Sequence, residues 1–317
     1  MNDYLLSLIL GVVEGLTEFL PVSSTAHLRN TEALMHVSLS DPYWKMYTIV
    51  IQLGAILCLP IYFRERIAKF LSTFPQGEHG DRTVLTHPLS LTIVAFVVTA
   101  IPSFLLTKVI GKHLESLHIM GTALLVGGIV MWIIDGSKAK WEKAGPDTPG
   151  SPIKIWHMED MSLPQAVWIG ACQILSAVFP GTSRSMSTIA GGQLAGMSRA
   201  SALEFSFFLS MPTMVVATGY DLLKSLRGQG RGKPDWGGTD RLARLDRARH
   251  RIYGFVHRGV WVGGVVHGVC AAAGICAVCD LSHHRGHGGV DVRLEADGRI
   301  ALNRGRPLLP GGADGFR

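Results

Sequence analysis

The sequence predicts an all-α fold, a polytopic integral membrane helical bundle. Three observations carry that prediction: too few charges for a water-facing surface, several long uncharged runs, and the return of one broken apolar segment later in the chain. Charged residues make up 17% of the 317 residues, hydrophobic residues make up 47%, and the mean hydropathy is +0.27. Soluble domains carry about a quarter charged residues, and here the deficit is gathered into stretches that water could not solvate. The composition excludes an ordinary soluble enzyme, and with it disorder, collagen and coiled coil.

Uncharged runs of about 17 to 25 residues cross about 30 Å of hydrocarbon as helices, because a helix satisfies its own backbone groups where no water can. The strongest lie at 46–63, 89–107, 117–134, 163–179 and 205–220, each bounded by charged or turn-forming residues. The opening segment, 4–20, is apolar but interrupted by Glu14 and Glu18, and Pro21 follows it. It reads as a re-entrant or broken helix facing protein or water rather than as a simple span. Lacking a basic leading region and a small-residue cleavage site, it reads as retained in the mature protein. The loop 64–87 carries Arg64, Arg66, Lys69 and Arg82, and the loop 135–162 carries Lys138, Lys140, Lys143 and Lys154. Two spans separate these loops, so both fit the cytoplasmic side.

The net charge of +6 is uneven. Residues 1–227 hold 16 Lys+Arg and 16 Asp+Glu, whereas residues 228–317 hold 14 and 8, together with 19 of the 37 glycines. The chain is therefore read as a membrane domain over 1–227 and an atypical Arg/Gly-rich segment over 228–317. Out-of-frame reading of a GC-rich gene accounts for that segment, since shifted GC-rich codons yield Arg, Gly and Ala. A genuine basic tail touching anionic lipid headgroups is the other reading. Cys276 and Cys279 with His283 and His284 lack a second pair at zinc-finger distance, and the five cysteines imply no disulfide framework.

At an offset of 159 residues the chain aligns with itself. GVVEGLTEFLPVSS (11–24) falls on GACQILSAVFPGTS (170–183), matching Gly11 with Gly170, Leu16 with Leu175, Pro21 with Pro180 and Ser24 with Ser183. Glu14 meets Gln173, the apolar stretch from Met46 meets the one from Phe205 without a gap, and the repeat halves span about 1–110 and 160–227, the second incomplete. Interrupted apolar segments at corresponding positions are how many membrane transporters build a midplane site, so the two polar breaks are expected to face each other.

The first break supplies Glu14 and Glu18, four apart on one helical face. Ser23 and Ser24 precede His27 by four and three residues, so hydroxyl and imidazole can meet if the chain is helical after Pro21. Carboxylates at membrane depth are costly and usually functional. In the second break Arg184 is the one charge between Leu163 and Gln193, set among Thr182, Ser183, Ser185, Ser187 and Thr188. A guanidinium fork suits phosphate oxygens, and Gly181 lets backbone amides approach an anion at a helix start. The set offers carboxylates for a divalent cation or proton transfer, a hydroxyl nucleophile, an imidazole base and a phosphate clamp. It suits phosphoryl transfer on a substrate that arrives through the lipid.

EGLTEFLPVSSTAHL (14–28) and PGTSRSMST (180–188) resemble the two signature segments of the bacterial undecaprenyl-diphosphatases, or bacitracin-resistance proteins, and the resemblance covers about residues 1–227. It implies an inverted repeat with re-entrant helix pairs in the bacterial inner membrane, a site open toward the periplasm, and hydrolysis of undecaprenyl diphosphate to the monophosphate. By that likeness Glu14, Glu18, Ser24, His27 and Arg184 are catalytic. Ser24 is the candidate nucleophile, His27 its base or the acid for the leaving group, and Arg184 the diphosphate clamp. Ser23, Thr25, Ser183, Ser185 and Thr188 join Arg184 in binding substrate, and Glu14 and Glu18 hold Mg2+ or Ca2+ or position His27. Attack by water or by His27 itself stays open. The expected partners are the polyprenyl diphosphate lipid, the bilayer and a second copy in a homodimer, with no nucleic acid. A transporter or flippase of an anionic polyprenyl lipid is the alternative function. Ala26 and Met186 stand where the family usually or often has glycine, and Arg29 is an unexpected charge.

Overall fold

The computed structural model describes residues 3–226 apart from 39–40, 78–79, 81, 111–115, 147 and 180, and beyond them 290–294 and 300–304. Within 3–226 it is helical throughout: α1 (Asp3–Thr17), α2 (Ser24–Leu34), α3 (Pro42–Tyr62), α4 (Arg64–Thr73), α5 (Pro88–Ile110), α6 (Leu117–Ala144), α7 (Leu163–Val178), α8 (Arg184–Leu194) and α9 (Arg199–Leu226), with one 3-10 turn at Met158–Asp160. In the tail, β1 (Val290–Leu294) and β2 (Ile300–Arg304) form an antiparallel hairpin. The frame reading, the zinc-like spacing and most of the atypical segment lie outside the described residues.

Local chemistry sets the helix ends. Asp41 caps α3, its Oδ1 accepting the Tyr43 N–H at 2.7 Å, and Pro42 occupies the first turn, where a missing N–H costs nothing. Ser116 caps α6, and Gly145, at φ 91, ends it. Gln165 Oε1 accepts the Ser162 N–H at 2.9 Å at the start of α7.

Among the described residues, α3, α5, α6 and α9 are long and apolar enough to cross a membrane. Their outward residues, such as Ile93, Phe104, Leu125, Trp132 and Val216, are exposed large hydrophobics, as a lipid-facing surface requires. The fifth run, 163–179, departs from the expectation of a span. It forms the 16-residue α7, about 24 Å long at 1.5 Å per residue and short of the hydrocarbon thickness. α1 is a similar short apolar helix, as its buried carboxylates led one to expect.

Close helix approach fixes the bundle. α5 packs on α7 at Gly170, where a Cβ would lie 2.5 Å from the Ala95 carbonyl oxygen, and Thr99 Oγ1 donates to the Gly170 carbonyl at 2.8 Å. α3 packs on α9, with Tyr47 and Phe205 fully buried, and Tyr47 donates to the Ser7 carbonyl at 2.8 Å, tying α3 to α1. The two basic loops do share a face: Arg82 donates to Asp160 at 3.1 Å, and Arg66 pairs with Glu159 at 2.7 Å.

Candidate active site

The first break separates α1 from α2. The Glu18 N–H still donates to the Glu14 carbonyl at 2.9 Å, which keeps the two carboxylates one turn apart. Both are buried, at 1% and 6% exposure. Ser23 caps α2 from a left-handed backbone, φ 64 and ψ 90, and its side chain accepts the Ala26 N–H at 3.4 Å. A non-glycine residue in that region carries strain of about 1–3 kcal/mol, which the surrounding packing sustains.

The second break separates α7 from α8. Ser183 caps α8, accepting the Met186 N–H at 3.3 Å, and Arg184 is the first helical residue. Gly181 has φ 93, and a Cβ there would come within 2.5 Å of Met120 Cα and O, so only glycine lets this turn close against α6. Met186, one of the departures from the family pattern, fits because its side chain fills the notch left by Gly127 of α6.

The breaks meet, and Glu18 is where they join. Ser24 Oγ donates to Glu18 Oε2 at 2.5 Å, and Arg184 Nη2 donates to Glu18 Oε1 at 2.8 Å. Ser185 Oγ adds a third crossing by donating to the Leu20 carbonyl at 3.1 Å. Removing either partner of such a buried charge pair leaves the other uncompensated. Glu14 lies alongside, both of its carboxylate oxygens buried without a hydrogen-bond partner.

The other predicted residues make contacts of their own. His27 meets the Ser23 carbonyl rather than a serine hydroxyl: its Nδ1 lies 2.8 Å from that oxygen. Nδ1 is therefore the protonated nitrogen of the neutral ring and Nε2 the basic one. The chain is helical from Ser24 onward, the condition set for that meeting, but the contact the helix creates is an i to i−4 bond to backbone, while the Ser24 hydroxyl turns to Glu18. Thr25 is half-buried in the first turn of α2. Thr188 Oγ1 lies 2.7 Å from Ser206 Oγ of α9, and Ser187 Oγ donates to the Ser183 carbonyl at 3.0 Å. Ser206 was not singled out in the sequence; a serine inside an apolar span gives no signal of its own. Gln173, the counterpart of Glu14, is 1% exposed and donates to Thr213 Oγ1 at 3.2 Å. Among the described residues no group of three or more His, Cys, Asp or Glu side chains is placed to hold a metal ion.

These features define an integral membrane protein in which two interrupted helix pairs meet at the buried cluster of Glu18, Ser24 and Arg184. The chain belongs to the bacitracin resistance protein BacA family, which it matches over residues 7–266. That match runs past residue 227 into the segment of changed composition. The undecaprenyl-diphosphatase of Koribacter versatilis (strain Ellin345) is 69% identical over 227 residues, 72% of this chain and 76% of the relative. The undecaprenyl-diphosphatase of Caldanaerobacter subterraneus subsp. tengcongensis is 42% identical over 218 residues, 69% of this chain and 73% of the relative. That of Methylococcus capsulatus (strain Bath) is 39% identical over 226 residues, 71% of this chain and 75% of the relative.

Proposed function

We infer that the chain hydrolyses undecaprenyl diphosphate to undecaprenyl phosphate and inorganic phosphate, recycling the lipid carrier of peptidoglycan synthesis and conferring bacitracin resistance. The observation that carries the reading is Glu18, which holds a serine hydroxyl of one break and a guanidinium of the other on its two oxygens. A guanidinium has five N–H donors. With one held by Glu18, the rest of the fork is positioned for the substrate's phosphate oxygens.

In this mechanism Ser24 Oγ attacks the terminal phosphorus while its proton passes to Glu18. The anhydride P–O bond breaks and undecaprenyl phosphate departs, its developing charge met by Arg184. Water then cleaves the phosphoserine, with His27 Nε2 as the base that takes its proton, and Ser24 regains a proton from Glu18. Water attacking directly, with the same groups in attendance, gives the same products.

The donor set fits a hard divalent cation. The unpartnered oxygens of Glu14 beside Glu18 supply carboxylate oxygens, and Mg2+ is commonly held by one or two carboxylates with substrate phosphates completing its shell. Such an ion would neutralise phosphate charge and polarise the attacked P–O group.

The inner membrane, with the site reached from the periplasm, completes the reading. The α1–α2 pair and the loop 64–87 are separated by the span α3, and the Arg and Lys of loops 64–87 and 135–162 support a cytoplasmic placement for that face. Phosphate release from undecaprenyl diphosphate by the purified chain in detergent with Mg2+ or Ca2+, against EDTA, Glu18→Gln and Arg184→Ala, tests the function. Release lost in both variants is expected; release that survives both would refute the site.

A further inference from the structure

On the face shared by the two basic loops lies a cavity of about 270 Å3. It sits where α3 has ended at Tyr62 and α5 begins at Pro88, the level at which these spans leave the hydrocarbon. Its floor is His87, 0% exposed, with Phe70 and Phe74 edge-on at ring-centroid distances of 6.1 and 5.2 Å. The Leu89 N–H donates to His87 Nδ1 at 3.3 Å, which places the neutral ring's proton on Nε2. That Nε2 is buried and has no hydrogen-bond partner. Burial first, and then the Arg82 charge, hold the imidazole below its usual range, so the neutral N–H donor is the form present at neutral pH. A buried donor without an acceptor is uncommon and costly.

The walls bring further donors from three separate segments. Arg66 of α4 is fixed by Glu159 at 2.7 Å and by Glu204 of α9 at 2.5 Å, and Arg82 is fixed by Asp160 at 3.1 Å. Lys69 and His157 complete the rim. Among the described residues the lining carries three cationic side chains, Arg66, Lys69 and Arg82, and two anionic ones, Glu159 and Asp160. Glu204 contacts Arg66 but is not part of the lining. Donors converging from several sides on one small space, at headgroup depth, suit a tetrahedral oxyanion better than a planar carboxylate or a cation.

We propose that this cavity is a second phosphate-binding site, distinct from the Glu18 and Arg184 centre, with His87 Nε2 as its buried donor. The ligand is a phosphate group, carried either by an anionic lipid headgroup or by free inorganic phosphate. The site does not depend on the hydrolytic reading.

Calorimetric titration of the full chain carrying Arg184→Ala, in dodecyl maltoside, isolates it from the first site. The titrants are inorganic phosphate, dihexanoyl phosphatidylglycerol, and dihexanoylglycerol as the phosphate-free control. One equivalent of either phosphate ligand is expected to bind, and Lys69→Ala is expected to weaken it about tenfold. Binding of the lipid alone identifies a headgroup site, and binding of inorganic phosphate alone a free-anion site. His87→Phe keeps a ring between Phe70 and Phe74 while removing the donor, and is expected to weaken binding as well. Should that variant not fold, Lys69→Ala, at an exposed helical position, carries the comparison by itself. No binding of either phosphate ligand, equal binding of the control, or an affinity unchanged by Lys69→Ala would overturn the site. Hydrolysis by the chain with Arg184 intact is read separately, so the two proposals fail independently.

Discussion

Set on one another at the offset of 159 residues, α1–α2 and α7–α8 have nearly the same lengths, 15 and 11 residues against 16 and 11. Their caps differ by one position. In the second half the serine that matches Ser24, Ser183, serves as the cap of α8, at an ordinary φ of −65. In the first half the cap has moved one residue upstream to Ser23, at φ 64, and the Ser24 hydroxyl is released to Glu18. The remaining chemistry is divided in the same way. Glu14, Glu18 and His27 of the first break stand opposite Gln173, Ala177 and Met186 of the second, whereas Arg184 stands opposite Thr25. Two helix pairs of like length thus present the carboxylates, the imidazole and the hydroxyl from one side and the guanidinium from the other. The strained cap is what sets Ser24 apart from its twin.

The largest effect is expected where the halves join. Glu18→Gln removes the proton acceptor of Ser24 and the charge facing Arg184, and should lower kcat about 10²–10⁴-fold; phosphate release with folding checked by thermal melting would detect a smaller loss, which would move the base elsewhere. Arg184→Lys keeps the charge without the planar fork, and should cost about 10²-fold in kcat/KM. Recovery of full activity by lysine would mean that the cation acts as a point charge only. Gly181→Ala tests the second turn alone: a Cβ against the Met120 backbone at φ 93 should destabilise the chain by about 1–3 kcal/mol, seen as a lower thermal midpoint. Smallest is the cap comparison. Ser183→Ala should cost about 1 kcal/mol, but Ser23→Gly only a few tenths or less, because glycine caps tolerably and relieves the positive φ. Equal losses at the two caps would contradict the asymmetry drawn here.

Much of this was legible in the sequence because it is local. Charge-free length marked α3, α5, α6 and α9, and the carboxylates and proline of the first segment marked a broken helix. Self-alignment placed the two breaks together, and the structure joins them through Glu18, Arg184 and Ser185. What stayed hidden depends on three-dimensional approach. Composition alone could not tell the short α7 from a full span. The distance of three from Ser24 to His27 permits a contact, but a helix offers His27 the Ser23 carbonyl as well, and the backbone acceptor prevails. The ion pairs of Arg66 with Glu159 and Glu204, and of Arg82 with Asp160, join residues far apart in sequence that only the packed loops bring together.

The central claim is that Glu18, Ser24 and Arg184 work as one unit across the two breaks. A double-mutant cycle in kcat/KM for undecaprenyl diphosphate, using Glu18→Gln, Arg184→Ala and the pair together, tests it most directly. Members of one unit should be strongly non-additive, with the double variant about as impaired as the worse single variant. Losses that multiply, each residue costing its full factor whether or not the other is present, would show that the two halves act independently and would contradict the account.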